Sequence, residues 1–192
     1  INGGALASYL RFGYMLEGGS ALINNTSFLP HGYYLSIKNQ KFELKRFWEF
    51  KLENSPKTNE PLEKIIHDSV KSQLVSDVKI GTFMSGGNDS TIVTRFANLE
   101  NKSIRSFNIG FEDKDFDESK ISKKIADLFK TNHSSKLFSK SDVIGALNKN
   151  FKAFSEPFSD YSSLPTLMLS AFAKEKVTVA LSGDGGDELF WG

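Results

Sequence analysis

The chain has 192 residues, 39% of them hydrophobic and 24% charged. That balance is ordinary globular usage and excludes a disordered chain, a collagen-like repeat and a coiled coil. Twenty-four basic residues against 23 acidic ones leave a formal charge of +1. No field of one sign is therefore available for nucleic acid or an anionic membrane, and an anion must be held by a local site. There is no cysteine, which excludes a disulfide scaffold, a cysteine-ligated zinc and a thiol nucleophile within the chain, and fits a reducing compartment such as the cytoplasm. No apolar run approaches the roughly 20 residues of a membrane helix. The first residues, INGGALASYLRFGY, lack the pattern of a signal peptide. The start without Met and the stop at ELFWG suggest a piece of a longer protein.

In chain order, Ala5–Tyr14 has helical spacing, with Gly18-Gly19 expected to end it. FLPHGYYLSI and KFELKRFWEF read as two strands of a hairpin turning at Asn39-Gln40. One helix and one hairpin make a poor independent core. A polar stretch, NSPKTNE, with Pro56 and Pro61, reads as a linker. It places a boundary near residue 56, with one domain over 1–56 and a second over 57–192.

Beyond it the pattern alternates. Leu62–Val75 carries a helical stripe, and Val78–Met84 (VKIGTFM) is a short β-branched strand. A helix is expected over Thr91–Leu99 and a strand over Ser103–Phe111. Asp117–Lys130 is a helix with Asp117 as N-cap and Ile121, Ile125 and Leu128 as its apolar face. Ser134–Phe138 is a weak strand, Ser141–Phe154 and Leu164–Lys174 are helices, and Val177–Leu181 is a buried strand. Such alternation predicts an α/β fold, a parallel sheet with helices on both faces, behind a small helix-plus-hairpin piece. Ligands of such sheets sit at the carboxyl ends of the strands.

Two loops stand at such ends. After VKIGTFM comes Ser85-Gly86-Gly87-Asn88-Asp89-Ser90-Thr91. Its glycines allow a tight turn and close backbone approach, its hydroxyls donate, and the next helix offers free N–H groups, which together make a phosphate cradle. No loop lysine is present, so this is not a Walker A loop, and it is not GxGxxG. Asp89 would repel bare phosphate, so its carboxylate points to a bridging magnesium ion. The plainer alternative is a turn with a helix cap. After VTVAL comes Ser182-Gly183-Asp184-Gly185-Gly186-Asp187-Glu188, where clustered carboxylates call for cations. Asp89 and Asp187 could share magnesium over a triphosphate. The plainer alternative is a calcium loop or a solvated acidic turn, and EF-hand spacing is absent.

SGGNDS resembles the pyrophosphate loop of the ATP pyrophosphatases. LSGDGGDELFWG resembles the second signature of glutamine-hydrolysing asparagine synthetases. SFNIGFEDKDFDES, SEPFSDYSSLPT, ALASYLRFGY and LPHGYYLSI agree in order with that family, so the resemblance covers nearly the whole chain. Asn88 departs from it, standing where the family has an apolar residue. The resemblance implies an adenine-nucleotide α-hydrolase-like, Rossmann-like domain after the tail of a glutaminase domain. It implies ATP and Mg2+, adenylation of the aspartate side chain, and attack by ammonia drawn from glutamine. It implies that Ser85, Gly86, Gly87 and Ser90 hold pyrophosphate, and that Asp89 and Asp187 hold magnesium. Met84, Ile109, Ser182 and Gly183 would lie by the adenosine, and Asp184 by the reacting carboxylate. The implied partners are small molecules, with no nucleic acid or membrane and with a homodimer of the full-length protein.

The family's cysteine nucleophile is absent here, and its distal lysine lies beyond Gly192, so weak ATP binding and little turnover are expected of this piece. Competing readings are a relative with another acceptor, such as a β-lactam-forming enzyme, and a non-catalytic module. The latter predicts damaged metal carboxylates, whereas Asp89 and Asp187 are both in place. A sulfur-transferring tRNA-modifying enzyme shares only the first loop and would want a cysteine and a basic face. His31, His67 and His133 share no ligand spacing. Glu156 and Asp160 flank Pro157-Phe158 and either shape an acceptor pocket or stabilise a loop. The 17 phenylalanines are expected mostly in the core.

Overall fold

A computed structural model of the chain describes residues 1–16, 21–49, 51, 59–113 and 117–190. Its contacts divide it into two units, Ile1–Asn59 with Phe151–Tyr161, and Glu60–Asn150 with Ser162–Gly192. The expected linker around residue 56 lies outside the described residues.

In the first unit, helix α1 spans Gly3–Phe12. Asn2 caps it by accepting from the Gly4 and Ala5 N–H groups at 3.0 and 3.2 Å. Gly13, in the left-handed region at φ 83°, ends it. The expected stop at Gly18-Gly19 lies outside the described residues, and the helix has already closed before it. Strands β1 (Tyr33–Lys38) and β2 (Lys41–Arg46) form the expected antiparallel hairpin. Asn39 and Gln40 both take positive φ at its turn. Phe42, Phe47 and Trp48 are exposed, which corrects the expectation that the phenylalanines are mostly core. A two-stranded ribbon offers no second layer to bury both of its faces. Glu156 accepts from the Leu22 N–H with both carboxylate oxygens at 2.9 Å. Its role here is to tie the 151–161 segment to the N-terminal residues of this unit.

The second unit holds helices α2 (Leu62–Gln73), α3 (Asn88–Glu100) and α4 (Ser119–Phe129). Its strands are β3 (Ile80–Phe83), β4 (Arg105–Phe111), β5 (Asn132–Phe138) and β6 (Val179–Leu181). Helix α5 spans Lys140–Ala153, with its residues up to Asn150 assigned to the second unit and Phe151–Ala153 to the first, while α6 (Ser163–Lys174) and the short α7 (Gly186–Phe190) belong to the second. The sheet is parallel throughout, in the order β5-β4-β3-β6. The chain runs outward from β3 to β5 and then returns to the other side of β3. The neighbours β3 and β6 therefore flank the point where strand order reverses, the position at which such sheets bind ligands.

Alternation along the strands divides the two faces. Thr82 and Ser106 are register partners and lie on one face. There the Thr94 hydroxyl of α3 donates to Thr82 at 3.0 Å, and Ser106 bonds Thr131 at 2.7 Å and His133 at 2.9 Å. Phe83 and Phe107, also partners, lie on the other face with Leu169, Phe172 and Ala173 of α6. Phe107 is fully buried and meets Phe172 edge-on at 5.9 Å. Helix α2 packs on α3 through Val70, Phe96 and Ala97. Helices thus cover both faces of an α/β sheet, as expected from the alternating pattern.

Helix α4 departs from its expected face. Ile121 and Leu128 are exposed, whereas Ser122 and Ala126 are buried. Small side chains bring this helix close to the sheet, and a hydroxyl that finds an acceptor can be buried at little cost. Glu118, not Asp117, is the cap position, but the Asp117 carboxylate accepts from the Ser119 N–H at 3.1 Å. Hydrogen bonds from Ser119 hold that carboxyl below its ordinary range.

Phe107→Ala should cost about 3–5 kcal/mol, read as a lower urea midpoint at unchanged m-value. His133 provides a second check. Burial, helped by Lys123, lowers its pKa below the ordinary 6.5. The unfolded chain then binds the extra proton first, so stability should fall as pH drops below about 6.5. Urea midpoints at pH 7.5 and 5.5 should differ more in the wild type than in His133→Gln.

Candidate functional site

A cleft of about 740 Å³ opens where β3 and β6 end. Both glycine-rich loops line it, together with Ile109 and Phe111 of β4, Glu118 before α4, and Pro165 and Thr166 of α6.

The first loop begins as β3 leaves the sheet. The Met84 N–H still donates to the Phe107 carbonyl at 2.9 Å, and Met84 is fully buried. Gly86 then takes φ 104°, which a side chain would strain. Helix α3 starts at Asn88, three residues earlier than the apolar pattern suggests, because Gly87 is its cap and Asn88, Asp89 and Ser90 form its first turn. The loop binds itself. The Ser85 N–H donates to the Ser90 hydroxyl at 3.2 Å, and the two hydroxyls are 3.0 Å apart. The Gly87 N–H donates to Ser85 Oγ at 3.2 Å, and Ser90 Oγ to the Gly87 carbonyl at 3.2 Å. Ser85, Ser90 and the Gly87 N–H are thus held together on the cleft wall.

The second loop follows β6, and its latter half is helical. The turn from Gly183 to Gly186 closes with an N–H···O bond of 3.1 Å into α7, which the sequence pattern does not reveal. The Ser182 hydroxyl donates to Asp184 at 2.9 Å. The two loops interlock sterically. A Cβ on Gly183 would stand 2.6 Å from the Ser90 nitrogen, and one on Gly186 would overlap the Asp89 carboxylate. Glycine at both positions is what lets the Asp89 carboxylate lie against the start of α7.

Met84, Ser85, Gly87, Asp89, Ser90, Ile109, Ser182, Gly183, Asp184 and Asp187 all line the one cleft. Gly86 does not. It faces α4, where a Cβ would come 2.9 Å from Ile121. Glu156 and Asp160 belong to the other unit. Sequence reasoning did not assign a role to Glu118, Phe111 or Thr166. Glu118 lies inside the Asp-Glu-Ser motif, while Phe111 and Thr166 carry no local signal.

Asp89, Glu118, Asp184, Asp187 and Glu188 line the cleft, and no Lys, Arg or His does so among the described residues. Carboxylates gathered in this way favour a cation. Among the described residues, no cluster of three or more His, Cys, Asp or Glu is placed to hold a metal. Magnesium takes one or two protein carboxylates and completes its shell with water and phosphate oxygens. Asp89 and Asp187, on the two interlocked loops, fit that donor set and not an all-protein cage.

The asparagine synthase family model matches residues 61–192. A protein of Methanocaldococcus jannaschii, provisionally named glutamine-hydrolysing asparagine synthetase 2, is 35% identical over 100% of this chain and 38% of its own length. The glutamine-hydrolysing asparagine synthetase 1 of Bacillus subtilis is 38% identical over 66% of this chain and 20% of its own. The chain thus spans well under half of these relatives. An NH3-dependent NAD synthetase structure from Campylobacter jejuni covers 66% of this chain and 57% of its own, at 14% identity and a TM-score of 0.46. No helix among the described residues is long and apolar enough to cross a membrane.

The interlock predicts a measurable coupling. Gly186→Ala should destabilise by about 1–3 kcal/mol, the cost of overpacking. In an Asp89→Ala background most of that cost should vanish, because the overlapping carboxylate is gone. Denaturant midpoints of the four proteins in the double-mutant cycle read the coupling directly.

Proposed function

The chain belongs to the asparagine synthase family, and from that premise we propose that its cleft binds ATP and activates a carboxylate by adenylation. The observation that carries this reading is the meeting of the two glycine-rich loops at the ends of adjacent parallel strands β3 and β6, with Asp89 against Gly186.

Ser85, Ser90 and the Gly87 backbone take the pyrophosphate portion of the nucleotide, with Gly86 supplying the turn between them. Their hydroxyl and N–H donors stabilise charge where it grows on the leaving group. Asp89 and Asp187 hold magnesium, which neutralises charge on the phosphate oxygens when bound. Met84, Ile109, Ser182 and Gly183 flank the adenosine. Asp184, fixed by Ser182, stands by the reacting carboxylate. A carboxylate oxygen of the acceptor attacks the α-phosphorus, and the bond from that phosphorus to the pyrophosphate oxygen breaks. Ammonia then attacks the acyl carbon, the bond from that carbon to the AMP oxygen breaks, one ammonia proton passes to solvent, and an amide remains.

Aspartate is the acceptor we propose, with ammonia drawn from glutamine elsewhere in the longer protein. The family match and the names of the relatives support this assignment. The reaction belongs with the ATP and magnesium of the cytoplasm.

Calorimetric titration with ATP tests the reading. The chain should bind ATP with magnesium and lose that binding in excess chelator. Asp89→Asn and Asp187→Asn should each weaken it by about tenfold or more, roughly 1.4 kcal/mol. A folded chain that binds equally well without magnesium, or does not bind ATP, would overturn the proposal.

A further inference from the structure

Ser122 of α4 is fully buried. Its hydroxyl donates to the Met84 carbonyl at 2.7 Å. Met84 is the residue at which β3 leaves the sheet: its N–H is bonded by Phe107 at 2.9 Å, and its carbonyl is bonded by Ser122. That carbonyl belongs to the same peptide plane as the Ser85 N–H, the first donor of the phosphate loop. The peptide bond is planar, and none in the described chain is cis. Holding the oxygen therefore sets the direction of the N–H on the opposite side of the plane. A hydrogen bond accepted by the carbonyl also polarises the unit and strengthens its N–H as a donor.

The same helix backs the next residue. A Cβ on Gly86 would stand 2.9 Å from Ile121 Cγ2 and 3.3 Å from the Ser122 nitrogen. Two successive loop residues are thus set by one turn of α4, which itself lines none of the cleft at these positions. This also accounts for the face that α4 buries. A larger apolar side chain at 122 would fill the space and offer no donor.

We propose that Ser122 is a positioning residue for the phosphate loop, acting through the Met84–Ser85 peptide to aim the Ser85 N–H at the Ser90 hydroxyl and so hold the Ser85–Ser90 pair in place for the pyrophosphate portion of the nucleotide. The proposal rests on the nucleotide reading above and adds a prediction about which part of the ligand is affected. Loss of the Ser122 hydroxyl should loosen grip on pyrophosphate more than on the adenosine side, because Met84 stays held to β4 through its N–H bond to the Phe107 carbonyl.

The test compares Ser122→Ala with Ser106→Ala, which also deletes a buried hydroxyl that is hydrogen-bonded, at 2.7 Å to Thr131, but away from the loop. Dissociation constants are measured by calorimetry for magnesium ATP, magnesium pyrophosphate and AMP. Ser122→Ala should weaken the first two by about tenfold, the size of a lost hydrogen bond, and change AMP by less than twofold. Ser106→Ala should move the three ligands equally or not at all. Equal weakening of all three ligands by Ser122→Ala, or no weakening, overturns the positioning role while leaving nucleotide binding intact. Failure of the wild type to bind either magnesium ATP or pyrophosphate overturns both proposals. Should Ser122→Ala not fold, Ser122→Cys keeps the volume with a weaker donor, and the same ratio of pyrophosphate to AMP affinity decides.

Discussion

The contact on which the site depends is a place where side chains are missing. Gly183 and Gly186 present bare backbone to the first turn of α3, and the Asp89 side chain and Ser90 backbone occupy the space that a Cβ would take. Backbone packed this closely leaves little freedom for either loop to move alone. It brings hydroxyl and amide donors from one strand end beside the carboxylates of the next. The parallel pairing of β3 with β6 makes the approach possible, since both strands deliver their loops to one edge.

The sheet supporting this edge is asymmetric. Its α6 side is aromatic and aliphatic, with Phe83, Phe107 and Phe172 in contact. Its other side carries Thr82, Ser106 and Asn108, all buried; Thr82 is satisfied by the Thr94 hydroxyl of α3, and Ser106 by the Thr131 hydroxyl and the His133 imidazole. Apolar contact is tolerant of small shifts, whereas hydrogen bonds are directional. The polar side is the one on which α3 and α4 meet the loop. Directional bonding is therefore concentrated where the position of the loop matters.

What could be read from the sequence was local chemistry. Short β-branched runs such as VKIGTFM, followed by glycine, hydroxyl and carboxylate residues, identify strand–loop–helix units because each residue type acts within a few positions of itself. Features set by distant partners could not be read. Ser122 looks like a solvent-facing helical serine until the Met84 carbonyl is placed beside it. Ile121 and Leu128 look like a core face, yet the closer approach of the small residues leaves them outside. Glu156 looks like a pocket carboxylate, and its partner is the Leu22 N–H, 134 positions away. Helix α7 is five residues long and opens with glycine, below the length at which apolar spacing gives a signal.

The first loop satisfies its own donors: the Ser85 N–H and the Ser85 and Ser90 hydroxyls are already bonded within it. An arriving ligand must therefore exchange those bonds. A ligand with one oxygen trades one bond for another and gains almost nothing. A phosphoryl group brings several charged oxygens at once and gains the stronger charge-assisted bonds. Internal bonding of this kind favours a multiply charged anion over a neutral ligand that offers a single oxygen.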